Sequence, residues 1–286
     1  MKSALLLVFA TIFLITSCTK EEVIAYYPVD QDLVLRNVKY GEHTLQSMDV
    51  YLPAKRSVDH TKLIVYVHAG DWSSGDKDDV GLDDNSVGLL KAYFADYALF
   101  TLNHRLATGS NSITAKDAEM DILQAMDFIY EQANTYQIST DTYMAGLESG
   151  AQLATLFALK SAETSTRVKG SIAFSGAFDL LAIHNEATPA MKYTLQAYIG
   201  EAPHNQVSLY ENASPIHYIS SKSPSFLIIH DTNNSKYPIS QAEAFAKRLI
   251  VYNVDHEIIT YDSVKDSIST PDMENVFNKI KTFLGK

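Results

Sequence analysis

A single cysteine in 286 residues excludes an intramolecular disulfide framework and any cysteine-rich zinc module. Basic side chains are scarce: 23 Lys and Arg face 34 Asp and Glu, for a formal charge of −11. Binding to nucleic acid needs clustered cations to neutralise phosphates, so no nucleic-acid partner is expected. With 12 Gly and 8 Pro the chain is neither collagen-like nor low-complexity. It also lacks a phosphate-binding loop and a dinucleotide fingerprint, and no cofactor is expected. What it does have is apolar bulk, 46% of residues, enough to pack the core of one large domain.

The amino terminus reads as an address. Met1-Lys2-Ser3 is a short basic start, and the apolar run from Ala4 to Ile15 follows it. That run is too short to cross about 30 Å of hydrocarbon, which takes roughly 20 residues, and it fits the apolar region of an export signal. The next residues, Ile15-Thr16-Ser17-Cys18, resemble the lipobox of bacterial lipoproteins. The resemblance implies a signal peptide over 1–17, acylation of Cys18, a tether over 18–32, and a domain over 33–286. Thr19-Lys20-Glu21-Glu22 is similar to the tags that send some Gram-negative lipoproteins to the cell surface. The location implied is the bacterial cell envelope, on the periplasmic or surface face of the outer membrane. Cleavage would remove only Lys2 among the charges, leaving an acidic chain held by lipid rather than by attraction to anionic headgroups.

From about residue 33 short apolar runs alternate with helical patterns. Met48, Val50 and Leu52 are spaced two apart, and Leu63–Val67 is a continuous run of the kind buried on both faces of a sheet. Further strands are predicted at Leu99–Leu102, Thr142–Ala145, Ser171–Phe174, Phe226–Ile229 and His256–Tyr261. Ala118, Ile122, Met126 and Ile129 form one stripe of a helix of about 25 residues from Ile113. Others are predicted around Leu153, Leu156 and Phe157, over Ala242 to Leu249, and after Pro271. This alternation predicts an α/β fold with a mostly parallel central sheet and helices on both faces. In such sheets ligands gather at the carboxyl ends of the strands.

Those strand ends carry the motifs. Leu63–Val67 runs into His68-Ala69-Gly70-Asp71-Trp72, and Thr142–Ala145 into Gly146-Leu147-Glu148-Ser149-Gly150. With Asn103-His104-Arg105-Leu106, Phe174–Leu180, Ala213-Ser214-Pro215 and His230 leading to Pro238, the order resembles α/β-hydrolases of the carboxylesterase and hormone-sensitive-lipase type, including feruloyl-esterase-like members. The resemblance implies an oxyanion hole at Gly70, Asp71 and Ser149, with His68, Trp72 and His230 as pocket candidates. It also implies a nucleophile at position 148, an acid at 234 and a base near 266.

None of those three positions holds the residue that serine-esterase chemistry uses. They are Glu148, Asn234 and Asp266, and no histidine lies beyond His256. A histidine must take the nucleophile's proton and return it to the leaving group. Glu148 could attack as a carboxylate, yet hydrolysing the intermediate would still need a base to activate water. A carboxylate is also favourable at a helix N-terminus, so Glu148 is expected to turn into the oxyanion donors and plug the hole. Asp179 is a conceivable relocated acid. Asp76, Asp78 and Gly81 sit as in an EF-hand, but Val80 and Val87 fall where ligands belong, so a solvated acidic loop is expected and no metal site. The leading reading is therefore a lipid-anchored, catalytically inactive esterase-like protein that binds a small molecule or an envelope protein. The alternatives are an ester hydrolase using Glu148 as nucleophile or a metal, and a structural docking lipoprotein with a collapsed pocket.

Overall fold

The computed structural model describes residues 26–79, 94–262 and 270–285. Cys18, Asp266 and the 80–87 part of the acidic loop lie outside the described residues. Among the described residues no helix is long and apolar enough to cross a membrane.

Eight strands form one sheet: β1 (Leu33–Lys39), β2 (Ser47–Leu52), β3 (Leu63–Val67), β4 (Ala98–Leu102), β5 (Thr142–Leu147), β6 (Val168–Phe174), β7 (Ser225–Asp231) and β8 (His256–Tyr261). Their spatial order is β1-β2-β4-β3-β5-β6-β7-β8. The two pairings that involve β2 are antiparallel, and every pairing from β4 to β8 is parallel. Seven helices connect or flank them among the described residues: α1 (Ala115–Tyr136), α2 (Ser149–Ser161), α3 (Leu180–Glu186), α4 (Pro189–Ile199), α5 (Val207–Ala213), α6 (Ile239–Val251) and α7 (Thr270–Leu284).

Strand β3 shows why the sheet is sandwiched. Leu63, Val65 and Val67 join one apolar cluster with Ala118, Ile122, Met126 and Ile129 of α1. Ile64 and Tyr66, pointing the other way, join a second cluster with Phe277, Ile280 and Phe283 of α7. Alternate side chains reach opposite faces, so both faces of the strand must be apolar and both must be covered. The predicted parallel sheet with helices on both faces is the observed one.

Two parts of the architecture carry little sequence signal. Strand β1 is half exposed, and its ladder is irregular between Leu35 and Val38, where Asn37 has φ 54°. Helices α3 to α5, inserted between β6 and β7, are too short to build a long apolar stripe. Asp179 belongs there: its carboxylate accepts the Ala182 amide at 3.0 Å and caps α3. The contact shown for Asp179 is thus a local cap.

The motifs that resemble family landmarks prove to be fasteners around the strand ends. Arg105 donates from Nε to both oxygens of buried Asp121 at 2.9 Å, and the Arg105 amide joins them at 2.8 Å. Buried Lys77 pairs with buried Asp49 at 3.4 Å, and the Lys77 amide donates to Asn103 Oδ1 at 2.6 Å. Asp76 and Asp78 lie within this ion-pair group, at 3.6 Å from the Lys77 ammonium.

The tightest fit is where α2 meets β3. A Cβ at Gly150 would lie 2.2 Å from the Val67 carbonyl oxygen and 2.3 Å from that of His68. Neither backbone atom can swing aside as a side chain would. Gly150→Ala is expected to cost about 1–3 kcal/mol, the usual penalty of overpacking, or more. The check is a urea midpoint, and an unchanged midpoint would mean that α2 can retreat from β3.

Candidate functional site

Strand β5 ends at Leu147 and α2 begins at Ser149, so the reversal falls on one residue. Glu148 makes it with φ 53° and ψ −110°. A non-glycine residue there stores about 1–3 kcal/mol of strain, which the surroundings must hold in place. They do so through the Glu148 amide, which donates to the Phe174 carbonyl at 2.7 Å. The turn is also pinched by Gly146, where a Cβ would lie 2.5 Å from the Gly150 backbone. The sharp elbow that lifts a side chain above the sheet is thus retained, with a carboxylate on it.

That carboxylate does not turn into the oxyanion donors. Glu148 Oε1 accepts from Asn234 Nδ2 at 2.9 Å, across the strand ends to the loop after β7. The expected plug against the amides of Gly70, Asp71 and Ser149 is corrected on this point. The reason lies in how Asn234 is oriented. Its Oδ1 accepts both the Lys236 and the Tyr237 amides at 3.0 Å, so the NH2 group must face the other way, towards Glu148. The longer glutamate side chain reaches the position-234 loop directly, spanning the gap that a histidine would bridge in a serine relay.

A second contact ties the same two regions together. Asp71 accepts from the Tyr237 hydroxyl through Oδ1 and from Lys236 Nζ through Oδ2, both at 2.8 Å. Asp71 has φ 52° and Trp72 has φ 58°, so the loop after β3 is bent at successive residues. Gly70 precedes them with φ 122°, where a Cβ would strike the Ser74 carbonyl at 2.1 Å. Lys236 and Tyr237 were missed at the sequence level. Only neighbouring Pro238 gave a landmark there, and nothing local connects residues 165 and 166 positions away from Asp71.

Burial pushes the Glu148 carboxyl above its ordinary 4.5. The Asn234 hydrogen bond and the Lys236 charge oppose that rise, while Asp71 and Asp231 add to it. The Lys236 ammonium is raised, first by its hydrogen bond to Asp71. Tyr237 is raised far above its usual value by burial, then by Asp71 and Glu148. The ionisable groups acting on Glu148 therefore include no histidine.

All nine histidines of the sequence fall within the described residues. His68 Nδ1 lies 2.6 Å from the Ala69 carbonyl, and its ring stacks on His104 at 4.9 Å. Burial lowers both, His104 to about 3. His230 Nε2 lies 2.8 Å from the Tyr237 carbonyl, and burial lowers this ring too. Each bond to a carbonyl fixes a neutral tautomer with the proton on that nitrogen. His256 opens β8, at the opposite end of the sheet from the elbow.

The pocket candidates His68, Trp72 and His230 are buried, 1%, 1% and 0% exposed. Trp72 stacks on Tyr198 at 4.5 Å and donates to Gln152 Oε1 at 2.8 Å. The Ser149 side chain is buried and its hydroxyl has no partner among the described residues. Among those residues no group of three His, Cys, Asp or Glu is placed to hold a metal ion.

With this geometry in hand, comparison with known proteins is direct. A family model described as BD-FAE matches residues 48–249. The probable carboxylic ester hydrolase LipM of Mycobacterium tuberculosis is 23% identical over 228 residues, covering 74% of this chain and 51% of that protein. Kynurenine formamidase of Danio rerio is 25% identical over 220 residues, covering 75% and 68%. The chain thus spans about half the length of the first of these relatives. Among solved structures, the bifunctional GH43-CE of Bacteroides eggerthii superposes with a TM-score of 0.73 at 20% identity, covering 88% of this chain and 38% of that one. Inhibited esterase B of Lactobacillus rhamnosis gives 0.70 at 15% identity, covering 91% and 89%. These likenesses establish the fold.

The raised Glu148 carboxyl has a consequence for stability. Between its unfolded and folded values the native state binds more protons than the unfolded one, so stability falls as pH rises through that window. Glu148→Gln keeps an acceptor for Asn234 and removes the titration. The wild-type Tm minus the Glu148→Gln Tm is expected to fall as pH rises from about 4.5. A difference that stays flat from pH 4 to 8 would show that the carboxyl is not destabilised by burial.

Proposed function

The chain belongs to the BD-FAE family of α/β-hydrolase esterases, and from that premise we propose that it has kept the fold and given up ester hydrolysis. In this reading it is a lipid-anchored binding or assembly component of the bacterial cell envelope, tethered through acylated Cys18. The observation that carries the inactivity is the direct hydrogen bond between Glu148 and Asn234. It joins the nucleophile and acid positions with no base between them.

Each step of ester hydrolysis then lacks a participant. Attack by the Glu148 carboxylate on an ester carbonyl would expel alkoxide and leave an acyl anhydride on the side chain. The alkoxide would need a proton, and the anhydride would need an activated water. His68 and His230 each hold one ring nitrogen at a backbone carbonyl, and the opposite nitrogen of each ring is buried without a partner among the described residues, outside the hydrogen-bonded group of Glu148. Lys236 is held protonated by Asp71, which removes it as a base. The same groups suit binding: Glu148 and Asp71 both act on one lysine, Lys236, an arrangement that favours cationic or polyhydroxylated small molecules over anionic ones. An envelope protein is the other partner class that this reading admits.

The decisive assay uses p-nitrophenyl acetate and butyrate with the mature chain. Turnover is expected to be indistinguishable from that of Glu148→Gln, and Glu148→Ser alone is expected to restore little. Wild-type turnover that disappears in Glu148→Gln would overturn the inactive reading in favour of a glutamate nucleophile. Activity lost to a chelator and restored by one metal would favour the metal-assisted alternative.

A further inference from the structure

The described chain enters the fold at the amino end of the parallel strands, held there by one buried arginine. Arg56 donates from Nε to the Tyr136 carbonyl at 2.8 Å, and from Nη1 to those of Pro53 at 3.2 Å and Gln31 at 3.4 Å. Its Nη2 donates to the carbonyls of Pro28 at 2.5 Å and Tyr27 at 3.2 Å. Backbone oxygens thus replace the water of a buried cation, and in return residues 27–31 are fixed against the end of α1. The Tyr27 ring stacks on Tyr136 at 5.7 Å, and the Lys55 amide donates to the Val29 carbonyl at 2.5 Å. Glu148 stands at the other end of the sheet. The six residues of β5, at about 3.3 Å each, set it roughly 20 Å from this entry point.

Apolar side chains are left in solvent around that entry. Tyr26 is 55% exposed, and Tyr27, Val29 and Val58 are each more than a third exposed. Val58 belongs to the same loop as Arg56, in a turn closed by the Thr61 amide on the Ser57 carbonyl at 3.0 Å. Ile250 and Val251, 65% and 71% exposed, end α6 just before β8 and so lie at the amino end too. Between β3, which follows the Arg56 loop, and β8 lie β5, β6 and β7. Strand spacings of about 4.8 Å therefore put the two groups roughly 20 Å apart on one pole of the domain. Single exposed apolar residues are ordinary, whereas a set gathered on the pole where the chain enters marks a contact surface.

The reach of the chain selects the occupant. Tyr26 follows Cys18 by eight residues, which span at most about 29 Å when fully extended. An acylated Cys18 would keep this pole within one short tether of the bilayer. Tyrosine, with an apolar ring and a polar tip, suits the boundary between hydrocarbon and water. Charge is not the attraction, because Lys55 and Lys62 stand beside Asp30, Asp32 and Asp59 and neither sign dominates. Resting on the lipid-anchored part of the proposed function, we propose that the amino-end pole seats on the bilayer surface through Tyr26, Tyr27, Val29, Val58, Ile250 and Val251. The seating turns the Glu148 elbow away from the membrane, so a soluble ligand or partner reaches the strand ends without meeting the lipid.

The test reads tryptophan fluorescence of the acylated mature chain in phosphatidylcholine vesicles whose acyl chains carry bromine, a contact quencher. Tyr26→Trp and Val251→Trp each add an indole to the pole. Tyr193→Trp adds one at the carboxyl end, where a Cβ on Gly109 of the loop after β4 would lie 3.2 Å from the Tyr193 hydroxyl. All three positions are exposed, so the variants are expected to fold, and far-UV circular dichroism checks that they do. Relative to unbrominated vesicles, the pole variants are expected to lose at least roughly half of the added emission and Tyr193→Trp less than about a tenth. Equal quenching of Tyr193→Trp, or none at the pole, would overturn the seating. Shielding of the pole indoles from aqueous acrylamide that grows with protein concentration, without vesicles, would assign the surface to a second copy and overturn it too. The intact mass of the chain recovered from envelope membranes tests the anchor separately. An unmodified Cys18 would remove the lipid-anchored reading and the seating together, whereas an acylated chain with unquenched pole variants would remove the seating alone.

Discussion

The first turn of α2 can approach β3 only because Gly150 has no Cβ to strike the carbonyls of Val67 and His68. That approach forces the chain to reverse within one residue, and Glu148 takes the strained φ and ψ that the reversal demands. Everything at the carboxyl edge of the sheet is arranged around this pinch. The loop after β3 is anchored below it by the buried Lys77 and Asp49 pair. Gln152, one turn along α2, receives Trp72 from that loop and Tyr198 from α4. The elbow is a backbone device, and its geometry does not depend on which side chain it displays.

The side chain it displays changes the electrical character of the site. An esterase elbow holds a neutral hydroxyl among donors that wait for charge to develop in the transition state. Here a charge-bearing glutamate stands on the elbow, and its partners form a clasp from Asn234 through Lys236 and Tyr237 to Asp71. The substitutions at 71, 148 and 234 fit one another as a set. Asn234 offers an amide to the carboxylate, where an aspartate would repel it, and Lys236 with Tyr237 satisfies the aspartate at 71.

Much of this was legible in the sequence, and the rest was hidden for physical reasons. The buried strands were readable because burial on both faces demands continuous apolar runs such as Leu63–Val67. Strand β1 and helices α3 to α5 were not, since half-exposed or short elements need little periodicity. The substituted positions 148 and 234 stood out because the glycines and landmarks around them are intact. The direction of the Glu148 side chain was not legible. It is set by two backbone amides that orient Asn234, a contact no local pattern announces. His68, Trp72 and His230 read as pocket residues by position, and their burial was not legible from sequence.

The central claim is that the Glu148–Asn234 contact stands where a proton relay would operate, leaving no nucleophile that can be activated. The most direct measurement exposes the mature chain to a fluorophosphonate that labels activated nucleophiles, and reads the intact mass. The expected result is an unchanged mass under conditions that fully label an active serine esterase. A stoichiometric adduct mapped to Glu148 or Ser149 would contradict the account.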